Sequence, residues 1–439
     1  MTVTIFTIVA RNYYGLAQVL RKSVMRYHDN VEFLVFIADG ITEPERDQFG
    51  PDAIDAAALM GEYVSQDKLA ELAFKYNLTE YCTAIKPFCF QHLFDTTDCR
   101  EAIYLDPDIF VFGPMTPIFE KLASADIVLT PHILFPSSRE GKGKDSNILS
   151  AGIFNLGFAG LRRSNSGIAF VKWWGQRLLD QCFADGHSAL FTDQKWVDFV
   201  PALFPAEDIA VIRHCGTNLA PWNFHERRVS KSEGDQFWVE RRVDPSDLFA
   251  TETGREPEPV VFVHFSGFDY KRLCSGEVTQ YNIDGLTFYQ DLQPLIDRYM
   301  TAIQTDRETV LKFLSMTYRY AKFKDGSPII AFHRRLLRSA VDAGMHFEDP
   351  FAVGVGTFHQ RLVDNNLVLE DGAEGAQLDK STKNNMAGID RKLAMVNRVM
   401  RGVKRVIGFR RYLLLLRLMR PYSRAEAQLH LIDSNQNKL

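Results

Sequence analysis

Asp106 and Asp108 flank Pro107 between two apolar runs, residues 102–105 and 109–112, and neither acid has a cation within three residues. An unpaired charge at the end of a buried strand is costly, so two acids placed this way imply a positive ligand. A divalent cation, which favours oxygen donors, is the natural one. Pro107 fixes φ between them and stiffens the turn. The competing reading is an ordinary surface turn, because Asp and Pro are favoured turn residues. His264 closes a further apolar run, 260–265. A histidine at a strand end is usually structural and becomes a ligand only beside a metal.

Other residues suit the recognition of a sugar or a phosphate. Lys86 stands before Pro87 inside a helical stretch, where it could reach phosphates or the two acids, or simply be a surface lysine. Asn155 lies in the glycine-broken run 152–160; a buried Asn needs partners, and sugar hydroxyls would supply them. Asp193-Gln194 starts a helical stretch, where Asp193 could also be a plain cap. Trp222-Asn223 offers an aromatic face and an amide for a sugar ring, although a core Trp is the commoner use.

The elements that must carry these residues read as an α/β alternation. Residues 3–9 and 32–38 are buried-strand runs separated by an amphipathic helix over 16–27, which makes a βαβ unit with a parallel sheet. Such sheets bind nucleotides at the carboxyl ends of their strands, where the 11–15 turn lies. That turn lacks G-x-G-x-x-G and G-x-x-x-x-G-K-[ST], which argues against dinucleotide binding and an NTPase loop. Helices are expected over 67–75 and 79–94, the second broken at Lys86-Pro87. Further strands are expected over 125–130, 209–213 and 260–265, with helices over 166–183 and 192–200. The polar stretch 137–150 reads as a loop, either a lid over substrate or a plain surface loop.

Beyond residue 285 the pattern turns helical, with amphipathic stretches at 292–303 and 309–321. The expected organisation is a catalytic domain over 1–280, a helical accessory region over 281–371, a linker over 372–390 and a basic amphipathic tail over 391–439. Net charge is −4, which gives no general affinity for nucleic acid. That figure hides an asymmetry. Residues 391–424 carry 11 Lys+Arg and no acid, whereas residues 1–390 carry 39 Lys+Arg against 53 Asp+Glu. A basic amphipathic helix of this kind suits an anionic membrane surface; the alternative is packing on the protein's own acidic body. Six cysteines without a C-x-x-C pair suggest a reducing compartment. The first residues read as a strand rather than a signal peptide, and no run reaches the roughly 20 apolar residues of a membrane span. The expected location is cytoplasmic, peripheral on the inner face of the membrane.

Taken in order, these strings resemble the GT-A fold nucleotide-sugar glycosyltransferases, and especially the retaining enzymes of glycosyltransferase family 8, over residues 1–275. Residues 104–111 match that family's YLDxDxxV string, and Asn12-Tyr13 matches its Asn-Tyr pair after the first strand. Asn155-Leu-Gly157 is similar to its N-A-G strand, Asp193-Gln194 to its D-Q pair and Trp222-Asn223 to its W-N pair. Residues 264–267 resemble its H-[FY]-x-G-x-x-K ending, with the lysine one place late at Lys271.

The resemblance implies a GT-A (Rossmann-like) domain with a helical C-terminal extension. It implies an enzyme moving a sugar, with retention, from a nucleotide-diphosphate donor such as a UDP-sugar to an acceptor glycan; a membrane-anchoring tail points further to a lipid-linked acceptor or a growing cell-surface polysaccharide. Mn²⁺ or Mg²⁺ would sit on Asp106, Asp108 and His264. Asn12, Tyr13, Lys86, Asp106, Asn155, Gly267 and Lys271 would bind the donor, and Trp222 and Asn223 the sugar or acceptor. Gln194 and Asp193 would stand nearest the reacting carbon. The rival readings are an inverting transferase, with Asp193 or Asp269 as base, and a non-catalytic sugar- or membrane-binding protein.

Overall fold

The computed structural model describes residues 3–135, 145–242, 256–282, 286–369, 379 and 388–433. They fall into two compact units. The first comprises Met1–Tyr63 and Leu78–Tyr318, the second Val64–Asn77 and Arg319–Leu439.

In chain order the strands are β1 (Val3–Val9), β2 (Glu32–Ile37), β3 (Ala53–Asp55), β4 (Glu101–Leu105), β5 (Ile109–Val111), β6 (Ile127–Leu129), β7 (Phe158–Arg162), β8 (Ala184–Asp185), β9 (Leu190–Phe191), β10 (Ile209–Val211), β11 (Arg227–Glu233), β12 (Gln236–Arg241), β13 (Glu258–Pro259) and β14 (Phe262–His264). Among the described residues, seven form one sheet in the order β10-β6-β7-β4-β1-β2-β3. β1 pairs in parallel with β2 and β4, and β7 runs antiparallel between β4 and β6. β1 is buried at every residue after Val3, as expected of a central strand covered on both faces. Its core includes Ile5, Val35, Ile103, Leu105 and Phe158. This is the α/β architecture expected, with a parallel centre and one antiparallel insertion.

Two ladders build the corner beyond β4. The β4–β7 pairing continues past its end through the Asp106 amide, which donates to the Gly157 carbonyl at 2.8 Å. β5 pairs antiparallel with β14, setting His264 opposite Ile109, and the Phe265 amide donates to the Asp108 carbonyl at 2.8 Å.

Helices close the back of this corner. Gln293–Thr305 and Arg307–Leu314 belong to the first unit, so its core extends past residue 280, where the sequence reading ended the catalytic domain. Leu295, Ile296, Tyr299 and Val310 share a core with Phe110, Phe112 and Phe265, and Phe265 stacks on Tyr299 at 4.0 Å between ring centroids. Gly15, on the Tyr14–Met25 helix, has no room for a side chain: a Cβ there would lie 2.7 Å from the Val310 Cα.

The helix expected over 79–94 divides into Leu78–Ala84 and Lys86–Thr96, with Pro87 in the first turn of the second, where its missing N–H costs nothing. Two expectations are corrected, and one element is new. Part of the 137–150 loop is the helix Asp145–Ala151, while 136–144 lies outside the described residues. The expected strand over 152–160 is confined to β7, beginning at Phe158, apart from an isolated bridge at Phe154. The hairpin of β11 and β12 has no counterpart in the sequence reading.

The second unit has its own core of Phe74, Phe323, Leu336, Leu337, Phe358 and Leu362. The Arg334 guanidinium donates to the carbonyls of Phe74 (2.6 Å) and Tyr76 (2.8 Å), satisfying groups left open where the Gln66–Lys75 helix ends. A long helix, Ile389–Tyr422, contains no buried residue and is interrupted at Gly408, whose φ is +79°. Beyond it the chain returns to the second unit's core through Leu429 and Ile432, so the basic segment does not run free to the terminus. Residues 372–378 and 380–387 of the expected linker lie outside the described residues.

Candidate active site

The loop between β4 and β5 carries Asp106 and Asp108, and the end of β14 carries His264, so three ligand atoms lie within 4.8 Å of one another. His264 Nε2 is 3.0 Å from an Asp108 oxygen and 3.6 Å from an Asp106 oxygen. Tyr104 donates to Asp106 at 2.5 Å, and Tyr270 donates to Asp108 at 3.2 Å. Burial, reinforced by these carboxylates, pushes both phenols well above their usual pKa, so they remain donors.

The two acids titrate apart. Burial raises the Asp106 carboxyl, and neighbouring Asp108 adds to the shift. At Asp108 burial acts the same way, but the charge and hydrogen bond of His264 and the Tyr270 hydroxyl outweigh it, and its pKa falls. Burial alone would lower His264; Asp108 and Asp106 overcome it and raise it. Two carboxylates facing one imidazole leave a surplus negative charge even when the imidazole is protonated.

The donor set fits a divalent cation, and so does the space. A Cβ on Gly157 would lie 2.4 Å from His264 Cε1 and 2.9 Å from an Asp106 oxygen. Only glycine leaves the imidazole and carboxylate where they are, which explains the glycine after Asn155-Leu156.

Lys86 is not a surface lysine. It is 1% exposed, donates to Asp193 at 2.5 Å and to the Leu156 carbonyl at 2.8 Å, and lies 4.1 Å from the Tyr104 ring centroid. Asp193 is therefore engaged by a cation rather than acting as a plain helix cap, and no cap bond is formed. Thr192 donates to its second oxygen at 3.1 Å. Gln194 is buried and donates to the Ala151 carbonyl at 2.9 Å.

Asn155 bridges two histidines, His264 and His132, at 3.2 and 3.4 Å. Trp222 packs edge-to-face on both, with ring centroids 5.3 Å from His132 and 5.1 Å from His264. Among the described residues, its buried indole N–H has no hydrogen-bond partner, and neither does the buried Asn12 side-chain oxygen. Asn223 is fully buried; its amide donates to the carbonyls of His132 and Asn218 and accepts from the Ala220 N–H, which fixes the loop carrying Trp222. Tyr13 meets Tyr270 edge-on at 5.8 Å, linking the turn after β1 to the acid cluster. Gly267 adopts φ +78°, where a Cβ would lie 2.5 Å from Asn282, and Lys271 is exposed on the Tyr270–Cys274 helix.

The sequence reading missed His132, Tyr270 and the Tyr104 hydroxyl. Only the last carried a signal, its i−2 spacing from Asp106, which places both side chains on one face of an extended chain.

No family model matches the sequence. Two uncharacterised proteins of Bacillus subtilis (strain 168) are similar. YfnF is 25% identical over 251 residues, 55% of this chain and 76% of that one; YfnD is 28% identical over 192 residues, 43% of this chain and 54% of that one. Similar solved structures include the galactosyltransferase LgtC in complex with donor and acceptor sugar analogues (16% identity, 69% of this chain and 95% of that chain, TM-score 0.39). Mouse xyloside xylosyltransferase 1 in its apo form is another (15% identity, 60% of this chain and 96% of that chain, TM-score 0.33). At such identities and TM-scores the chemistry has to be read from the side chains themselves.

Proposed function

We propose that this protein is a metal-dependent glycosyltransferase that moves a sugar, with retention, from a nucleotide-diphosphate donor such as a UDP-sugar to a glycan or lipid-linked acceptor. The observation that carries this reading is the surplus-negative cluster of Asp106, Asp108 and His264, with Gly157 clearing space beside it. These three side chains would hold Mn²⁺ or Mg²⁺, which when bound supplies Lewis-acid neutralisation of the departing diphosphate. Tyr104 and Tyr270 hold the carboxylates in place. Asn12 and Trp222 present polar atoms without a partner among the described residues, suited to a nucleotide and a sugar hydroxyl. Lys271, exposed beside Tyr270, would meet the diphosphate from the solvent side. Lys86 acts through Asp193, pairing with that carboxylate and fixing it beside Gln194, where the sugar's reacting carbon would lie.

Retention is favoured over inversion because the carboxylates proposed as base are both engaged. Asp193 is 2% exposed and paired with Lys86, and Asp269 accepts from the Arg272 amide and the Tyr281 hydroxyl. A thermal-shift screen of nucleotide sugars with Mn²⁺ identifies the donor, since a bound donor stabilises the fold by mass action. Anomeric NMR of the product then decides the stereochemistry. Stabilisation by no nucleotide sugar would contradict the reading.

The long basic helix would place the enzyme on an anionic membrane surface, the inner face for a cytoplasmic protein. Ile389, Leu393, Val396, Met400, Val403 and Ile407 recur at helical spacing on one side, with Arg391, Arg398 and Arg405 opposite, and none of the helix is buried. No described helix is long and apolar enough to cross a membrane. In the full chain, Arg398→Glu with Arg405→Glu should abolish flotation with phosphatidylglycerol vesicles; unchanged flotation would refute the membrane role.

A further inference from the structure

The polar atoms behind His264 form a chain with one consistent direction. His132 Nδ1 is 3.3 Å from the Ile153 carbonyl, which can only accept, so Nδ1 carries the proton and Nε2 is left as an acceptor. His132 Nε2 lies 3.4 Å from Asn155 Nδ2, which can only donate. Asn155 Oδ1 therefore faces His264 Nδ1, 3.2 Å away, and accepts its proton. With Nδ1 protonated, the remaining lone pair of a neutral His264 is on Nε2, the atom 3.0 Å from Asp108 and 3.6 Å from Asp106.

Backbone and packing hold the chain in place. The His132 amide donates to the Ile153 carbonyl, the Asn155 amide donates to the Thr130 carbonyl, and Pro131 bridges Phe154, all on the same two backbone segments. Trp222 packs against both imidazoles. Burial also depresses the His132 pKa to about 4, so this ring stays neutral and able to accept at neutral pH.

We infer that His132 and Asn155 form a hydrogen-bonded relay that fixes the Nδ1–H tautomer of His264 and so directs its Nε2 lone pair to the cation held with Asp106 and Asp108. Asn155 is thus a positioning residue: it sets the ligand's orientation and basicity from behind, as outer-shell partners of metal-bound histidines do. Both ends of its amide are engaged by rings, so its type is set by the need for one acceptor and one donor on a single short side chain. The inference rests on the metal reading above and extends it to residues that would not touch the ion.

The test uses the full chain and Mn²⁺ alone, with free Mn²⁺ counted by electron paramagnetic resonance at neutral pH. Asn155→Leu, which keeps the shape and removes the acceptor, should weaken Mn²⁺ binding about 10–100-fold. Asn155→Asp, which still accepts from His264 but loses the donor to His132, should bind Mn²⁺ more tightly than Asn155→Leu, a rescue that a purely packing role would not produce. His132→Phe, which preserves the ring contact with Trp222 but frees the amide to turn, should weaken binding about tenfold and remains informative if Asn155→Leu does not fold. Equal Mn²⁺ affinity in wild type, Asn155→Leu and His132→Phe would overturn the relay while leaving the metal site standing. Equal weakening in Asn155→Asp and Asn155→Leu would also overturn it. Failure of the wild type itself to take up Mn²⁺ would remove the metal reading, and the relay with it.

Discussion

Two charged clusters lie beside each other in the first unit, sharing Tyr104 as a neighbour, and they are balanced differently. Lys86 and Asp193 form a closed pair: one cation, one anion, both nearly inaccessible, with the remaining donors and acceptors met by the Leu156 carbonyl and the Thr192 hydroxyl. Asp106, Asp108 and His264 are more open, and their charges do not cancel; the side chains of Asp106 and Asp108 are 27% and 18% exposed. A closed pair rigidifies and rejects ions. A surplus of carboxylate beside an accessible imidazole invites a cation. The difference teaches that buried charge marks a binding site only where its balance is incomplete.

Breaking the closed pair should give the largest effect. Lys86→Met leaves Asp193 buried without its cation and should cost about 3–5 kcal/mol of stability, read as a lowered denaturation midpoint. Adding Asp193→Leu should recover a large part of that loss; no recovery would mean that Lys86 acts mainly through Tyr104 and Leu156.

The histidine behind the open cluster should limit stability in acid. His132 has a folded pKa near 4 against an ordinary value of about 6.5, so the unfolded chain binds the extra proton first. Its contribution is intact above about pH 6.5 and declines as the pH falls toward 4, by roughly 3 kcal/mol. His132→Phe should flatten that limb of the stability–pH curve, and an unchanged limb would refute the assignment.

Gly157→Ala should be smaller in stability but sharper in function. The new methyl group collides with His264 and Asp106, costing about 1–3 kcal/mol and at least tenfold in Mn²⁺ affinity, measured by calorimetry. The smallest effect is expected at Asp106 in metal-free protein. Its folded pKa is raised, so its ionised form opposes folding above that pKa, and Asp106→Asn should leave stability within about 1 kcal/mol or increase it. A large loss there would erase the contrast with Lys86.

The sheet was readable in sequence wherever a strand is buried on both faces. β1, β2 and β4 are rich in apolar and β-branched residues, interrupted only by Thr4 and Thr7 in β1 and by an opening Glu in β2 and β4, and that composition has few other uses. β11 and β12 escaped because polar and charged residues run through both, and two of their buried positions are Arg227 and Arg241, where an apolar residue would have marked the core-facing side. At the site, the two acids between apolar runs announced themselves, and Pro87 marked the break before which Lys86 sits. For Lys86 the local sequence left a surface lysine and a charge reaching the site both open, because its partner lies 107 positions away and no local pattern encodes that meeting. The roles of His132 and Asn223 were equally invisible. Each is defined by bonds to distant or backbone atoms, which exist only once β6, β7 and the Trp222 loop have come together.

The central claim is that the β4–β5 corner holds a cation for a departing nucleotide diphosphate. The direct measurement is nucleotide release from the sugar donor by chelator-treated protein, wild type against the double variant Asp106→Asn, Asp108→Asn, with Mn²⁺ added back. Release by the wild type should depend on Mn²⁺, and the double variant should lose at least about 10²–10³-fold of that rate at every Mn²⁺ concentration. Undiminished release by either protein without metal would contradict the account.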